Sequence, residues 1–196
     1  MGWSEIEKNK KLIITDNTVY TVGYLRSVSR FTLQAAKKDK QGSILNCTAS
    51  IIFSAFTLEA YFNYLGEIII PTWSDCEKLR PLEKLADKIR IHLDYSRPPF
   101  QSCKIIFKIR NSLAHGKTET LTKKDIQIIS DDFTPDLPQT KWQKLITIKN
   151  AERFLLDTQA MIEFLHDASG VSFNPLFVPE IGGWFIIPVN ENDELR

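Results

Sequence analysis

Three side chains that could act together on an anion lie close together near the middle of the chain. Arg110 carries a permanent charge on a planar fork of donors, Asn111 carries an amide, and His115 can take up and release a proton near neutral pH. This combination suits acid–base chemistry at a phosphate or a similar group. Gly116 follows at once, so we expect these residues to occupy the last turn of a helix.

The helix that carries this cluster is predicted from about Phe100 to His115, after Pro98-Pro99. At about 100° per residue, Arg110 falls in the middle of an apolar arc and should point toward the core. Burying an unpaired guanidinium costs several kcal/mol, so it needs a carboxylate or a ligand anion. Glu59 is the single charged residue between Ser43 and Gly66, which makes it the predicted partner.

The opposite side of the same helix carries a polar stripe, whose members are Lys104, Lys108, Asn111 and His115. Their spacing of i, i+4, i+7 and i+11 could follow a phosphate backbone, although a solvated helix face has the same pattern. His115 alone could equally be a helix C-cap. On an ideal helix Arg110 and His115 lie about 140° apart, so sharing one phosphate requires local unwinding or a second copy.

Composition limits the classes of function. Twenty-five basic and 24 acidic residues give a formal net charge of +1, so any polyanion site must be local. The three cysteines, Cys47, Cys76 and Cys103, form no CxxC, which argues against a disulfide framework and a zinc site. We expect a cytoplasmic protein with no metal, cofactor, signal peptide or membrane segment.

Several other residues are weaker candidates for a site. Cys47 and Cys103 fit core thiols better than a nucleophile, and His92 and His166 fit caps or surface groups. Three aromatic residues could stack on bases or simply pack beneath the chain's tail: Trp142, Trp184 and Phe185.

The periodicity predicts a mainly α fold, an antiparallel bundle of four to five helices with a small C-terminal β-hairpin. Residues 1–170 should form the bundle, with 117–148 as a loop insertion, and 171–196 a tail packed on it. Strand-forming runs occur at 126–129 and 145–148, and the hairpin is expected from 176–181 and 184–189 around Gly182-Gly183. The predicted helices span residues 17–39, 43–66, 74–89 (capped by Ser74 or Asp75), 100–115 and 150–168.

The segment Ile109–Gly116 resembles the R-N-x-x-x-H signature of the HEPN superfamily. The segment Ser54–Asn63, which includes Glu59, is similar to the central helix of that superfamily's prokaryotic members. The similarity in order and spacing covers roughly residues 17–168, and the tail after it has no counterpart.

The resemblance implies a dimeric helical bundle that cleaves RNA without a metal ion. His115 would be the acid or base, Arg110 would stabilise the charged phosphorane, Asn111 would orient one of them and Glu59 would hold Arg110. Lys104, Lys108 and Lys117 would flank a basic groove. A toxin or antiviral defence role, with an antitoxin or regulatory protein as partner, is the implied setting.

Two copies are also expected on chemical grounds, because attack by a 2′-hydroxyl benefits from one proton acceptor and one proton donor, and the motif offers one imidazole. Two other functions remain open. One is a non-catalytic HEPN-like module that binds nucleotides or proteins, and the other is a helical adaptor unrelated to this superfamily.

Overall fold

The computed structural model describes residues 11–39, 41–73, 81–124 and 137–188. These residues form five helices and one two-stranded antiparallel sheet, which confirms the predicted mainly α bundle with a small sheet. The elements, in chain order, are β1 (Lys11–Val19), α1 (Thr21–Lys38), α2 (Ser43–Ile69), α3 (Pro81–Ile89), α4 (Phe100–Ala114), α5 (Ile148–Ser169) and β2 (Glu180–Pro188).

Helix α2 is the centre of the bundle, and it contacts the other four helices. Its apolar residues face several directions because it is packed on several sides, as its composition predicts. By length and hydropathy α2 could also cross a membrane, a property that buried core helices share. The side chains Ile51, Leu58, Tyr61, Phe62 and Leu65 are almost wholly buried along it.

Gly66 was the predicted end of this helix, and that prediction was wrong. Helix α2 continues to Ile69, and Pro71 follows soon after. A Cβ on Gly66 would meet the Trp73 indole, so this glycine provides room for a close side-chain approach and does not terminate the helix. The chain returning after Pro71 therefore lies directly on α2.

Helix α1 begins four residues later than predicted, at Thr21, because Asn17–Val19 belong to β1. Gly23 is buried in its first turns. A Cβ there would lie 2.5 Å from the carbonyl oxygen of Val178, so the missing side chain allows the turn before β2 to pack on α1.

Hydroxyl groups fill the buried contact between α1 and α2. Ser29 Oγ donates to the Ser50 carbonyl at 2.9 Å and lies 2.9 Å from Ser54 Oγ. Small side chains let the two helices approach closely, and their mutual hydrogen bonds offset the cost of burying them.

The predicted strand at 145–148 is wrong. Residues Gln143–Leu145 form a 3₁₀ turn, and Ile148 starts α5. Thr147 decides this, because its side chain accepts a hydrogen bond from the Asn150 N–H at 3.1 Å and caps the helix. Helix α5 ends as predicted at Gly170, whose φ of 70° only glycine adopts readily.

Strands β1 and β2 pair from Lys11 opposite Pro188 to Val19 opposite Glu180. Gly182 and Gly183 lie inside β2, opposite Asn17 and Asp16, so the prediction of a hairpin turn at these two glycines was wrong. The partner strand comes from the other end of the chain. The caps proposed at Ser74 and Asp75, the run at 126–129, Cys76 and the part of the hairpin at Val189 lie outside the described residues.

Candidate active site

Helix α4 holds one face against the bundle and turns the other toward an open cleft. Its back is fixed to α5, where Ser102 Oγ donates to Asp157 Oδ2 at 2.5 Å and Phe100 packs edge-on against Phe164. Its buried side is apolar, with Cys103, Ile106 and Ile109 facing the core. The polar stripe on the opposite side is therefore presented at a fixed position.

The cleft has a volume of about 840 Å³ and collects most of the residues selected from the sequence. The side chains of the motif, Arg110, Asn111 and His115, all line it. Helix α4 also contributes Cys103, Lys104, Phe107, Lys108 and Ser112. The remaining walls come from α2 (Glu59 and Phe62), from the start of α3 (Pro81, Leu82 and Glu83) and from the segment before α4 (Tyr95).

Arg110 is held from two sides. Its Nη2 donates to Glu59 Oε1 across the contact between α4 and α2, which matches the predicted pair. Its Nη1 donates to the side-chain oxygen of Asn111 at 2.9 Å. The guanidinium is thus oriented by an acid and an amide at once, with the Phe56 ring 5.9 Å away.

The expectation that Arg110 points into the core is corrected. The side chains of Arg110 and Glu59 are 26% and 34% exposed. Arg110 and Glu59 both line the cleft, so the middle of the apolar arc of α4 lies partly at the rim of the cleft. An exposed edge of the guanidinium leaves donors available to a ligand anion.

His115 lies just beyond the last helical residue. Its φ of −119° and ψ of 13° leave the helical region, while its backbone N–H still donates to the Asn111 carbonyl at 3.0 Å. The helix thus ends at Ala114, between Arg110 and His115. The imidazole is exposed, and within the described ranges it makes no hydrogen bond.

Gly116 has a steric role in this turn. A Cβ at this position would clash with the carbonyl oxygen of Ser112. Its backbone is not in the left-handed region, so glycine is needed here for the close approach and not for a positive φ. The sequence pattern predicted that the helix ends at this glycine, but it did not predict this steric reason.

The three predicted lysines separate into two places. Lys104 and Lys108 line the cleft and are exposed. Lys117 lines a different hollow, together with Glu119 and Trp142. The structure therefore brings two of the three lysines to the motif.

Aromatic side chains in the cleft were not identified from the sequence. Tyr95 lies on the wall with its ring centroid 6.0 Å from the Lys104 ammonium, and Phe62 and Phe107 pack together at a centroid distance of 6.3 Å. Phe107 lies three residues before Arg110, so helical spacing could have placed it there. Nothing local to Tyr95 marks it as a wall residue.

The remaining candidates lie outside this cluster or lack reactive character. Cys47 and Cys103 are buried, as expected for core thiols, and burial raises the pKa of Cys103 to about 12. His92 is exposed after α3, and His166 is half-buried on α5. Trp142 packs partly against the core, whereas Trp184 and Phe185 are exposed on β2.

Among the described residues, no group of three or more histidine, cysteine or acidic side chains has the arrangement of a metal site. Comparisons with known protein families, with curated proteins and with solved structures find no match to this chain.

Proposed function

We propose that this protein is a metal-independent endoribonuclease of the HEPN type that acts as a homodimer. The observation that carries the proposal is the meeting of Arg110, Asn111 and His115 in one cleft, with Glu59 and Asn111 both holding the guanidinium. The resemblance of the motif to the HEPN signature supplies the reaction.

The chemistry is internal transfer at a phosphodiester. The ribose 2′-oxygen attacks phosphorus, the bond from phosphorus to the 5′-oxygen breaks, and a 2′,3′-cyclic phosphate and a 5′-hydroxyl result. One imidazole takes the 2′-proton while a second, from the other copy, gives a proton to the leaving oxygen. Arg110 stabilises the extra negative charge on the phosphorane oxygens.

The cleft provides reasons for RNA as the ligand. Lys104 and Lys108 place positive charge along one wall, where they can make salt-sensitive contacts to phosphates. Tyr95 and Phe107 supply apolar and aromatic surface, which suits unstacked bases of a single strand. A toxin or defence role in the cytoplasm, restrained by an antitoxin or another regulatory protein, extends the proposal.

The test is digestion of total RNA in EDTA, followed by analysis of the product ends. Wild-type protein should leave 2′,3′-cyclic phosphates, and a 2′-deoxy substitution at the cut site should block cleavage. His115→Ala and Arg110→Ala should each reduce the rate by about 100-fold or more.

Matched controls are available outside the cleft. His92→Ala and Arg153→Ala remove an exposed histidine and an exposed arginine, and both should cleave like wild type. Intact RNA with folded wild-type protein at high concentration, despite measurable RNA binding, would favour the non-catalytic binding module instead.

A further inference from the structure

The sheet formed by β1 and β2 exposes apolar side chains that the bundle does not cover. On β2, Trp184 is 69% exposed and Phe185 is 53% exposed, and Ile181 and Ile186 are exposed as well. Neighbouring positions point to opposite faces of a strand, so both faces carry apolar surface. An isolated two-stranded ribbon is marginally stable in water, which makes a further partner strand favourable.

Between its end residues, Glu180 and Pro188, the outer edge of β2 lacks the features that normally prevent pairing. Ile181–Ile187 contain no charged residue and no proline, whereas the other strand, β1, carries Asp16. Among the described residues, no backbone group outside β1 bonds to this part of β2. Natural edge strands usually carry lysine, proline or a bulge where they meet solvent.

Gly183 gives a second indication. A Cβ on this residue would meet none of the described residues within 4 Å, and its φ is not positive, so the described part of its own chain does not require glycine there. A glycine inside a strand often marks a close approach of another chain. Gly182 differs, because a Cβ there would lie 3.1 Å from the Asp16 carbonyl oxygen.

We propose that the free edge of β2 pairs antiparallel with β2 of a second copy, centred on Trp184, to form a four-stranded sheet in the order β1-β2-β2-β1. In this register Trp184 faces its own copy across the twofold axis. Phe185 faces Gly183 of the second copy and Ile186 faces Gly182, so each large side chain covers a glycine. The segment is complementary to itself, and an uncharged segment meets no like charge in its copy.

The area involved sets the strength of the contact. Aromatic side chains bury about 150–250 Å² each, and Trp184 and Phe185 are 69% and 53% exposed. In two copies these residues therefore offer on the order of 500 Å², below the roughly 1,200 Å² of a stable complex. The backbone ladder and the isoleucines add to this. The dimer should therefore be concentration-dependent, unless further surfaces meet beside the sheet.

The proposed pairing involves a surface apart from the cleft, is independent of the nuclease proposal, and is tested without RNA. In a Cys76→Ser background, Trp184→Cys should form a disulfide-linked dimer under mild oxidation, because antiparallel partners lie about 4.5–5.5 Å apart. The matched control is Thr15→Cys, which faces Trp184 from β1. Its copies would lie about 14 Å apart, three strand spacings, and should not cross-link.

Sedimentation of the full chain without added cysteine provides the second measurement. The apparent mass should rise from 22.5 kDa toward twice that value with concentration. Phe185→Lys should raise the dissociation constant by about tenfold or more, whereas Ile13→Lys on β1 should change it by less than about threefold.

Three results would overturn the proposal. The first is a wild-type chain that stays monomeric at high concentration, and the second is a dimer that neither cysteine cross-links. Cross-linking of Thr15→Cys as fast as Trp184→Cys would place the contact elsewhere. RNA cleavage by a dimer that forms through another surface would leave the nuclease proposal standing while this one fails.

Discussion

The guanidinium of Arg110 has two partners of different kinds, and this decides what each is expected to do. Glu59 supplies a charge that attracts the guanidinium, while Asn111 supplies a neutral acceptor that fixes its plane. An incoming phosphate would compete with Glu59 for the same fork of donors. Arg110 is therefore held in position by its partners while part of its guanidinium remains available to a ligand.

The exposure of this pair makes a modest stability cost the expected result. Because both side chains keep about a quarter to a third of their surface in water, Arg110→Ala should lower the free energy of unfolding by only about 1 kcal/mol. Urea denaturation measures this, and the double variant with Glu59→Ala isolates the coupling between the two residues. A loss above about 3 kcal/mol would show that the pair mainly supports the fold.

Asn111 should affect activity through the orientation of Arg110. Asn111→Ala removes the 2.9 Å hydrogen bond and lets the guanidinium swing, so RNA cleavage should fall about tenfold, equivalent to about 1.4 kcal/mol. Stability should hardly change because the residue is exposed. Equal activity in Asn111→Ala and wild type would remove Asn111 from the proposed machinery.

Helix α4 ends beside the proposed catalytic residues, and Gly116 determines that end. Gly116→Ala would drive a methyl group against the Ser112 carbonyl, so the turn must open and His115 must move. We expect cleavage to fall by about tenfold or more and stability by about 1–2 kcal/mol, as for other overpacked sites. Lys117→Ala, the adjacent exposed control, should change neither quantity.

The buried side of α4 predicts a pH dependence. Burial raises the pKa of Cys103 from 9.0 to about 12, so between these values the unfolded chain is ionised and the folded chain is not. The contribution of the neutral Cys103 thiol to the free energy of unfolding is therefore fully present below about pH 9, and it is lost as the pH rises toward 12. The free energy of unfolding, measured by urea denaturation under reducing conditions, should decrease less from pH 8 to pH 10.5 in Cys103→Ala than in wild type. An equal decrease in both chains would contradict this assignment.

Helices were predictable where one local pattern decides them. The start of α4 follows from the prolines before it, and the C-terminal ends of α4 and α5 follow from the glycines after them. Glu59 stood out because it is the single charged residue between Ser43 and Gly66. The same rules failed at Gly66, where a distant indole explains the glycine. They also placed Arg110 too deep, because a helical wheel does not show where the neighbouring helix stops.

The sheet could not be predicted in its observed form, because its strands lie at opposite ends of the sequence. Gly182-Gly183 between apolar runs is typical of a hairpin, and only the pairing with β1 makes one continuous strand. Tyr95 and Lys117 show the same limit, since neither carries a local signal of which hollow it lines.

At the scale of the whole molecule, the proposed mechanism requires two imidazoles. If both copies must supply His115, mixed dimers of wild-type and His115→Ala chains should be inactive. Co-expressed equal mixtures should then retain about a quarter of the wild-type activity, the fraction of dimers with two intact histidines. Retention of about half would mean that each cleft works alone.

The base of the ribbon is tied to the bundle at several points. The Tyr64 hydroxyl donates to the Phe173 carbonyl at 2.8 Å, the Tyr20 N–H donates to the Pro179 carbonyl at 2.7 Å, and Gly23 accommodates Val178. Cutting the chain after α5 would strip a covering layer from the first helix and leave polar groups facing solvent. Shortened forms for biophysical work should accordingly keep every residue through Pro188, because the segment after α5 also holds the sheet against the bundle.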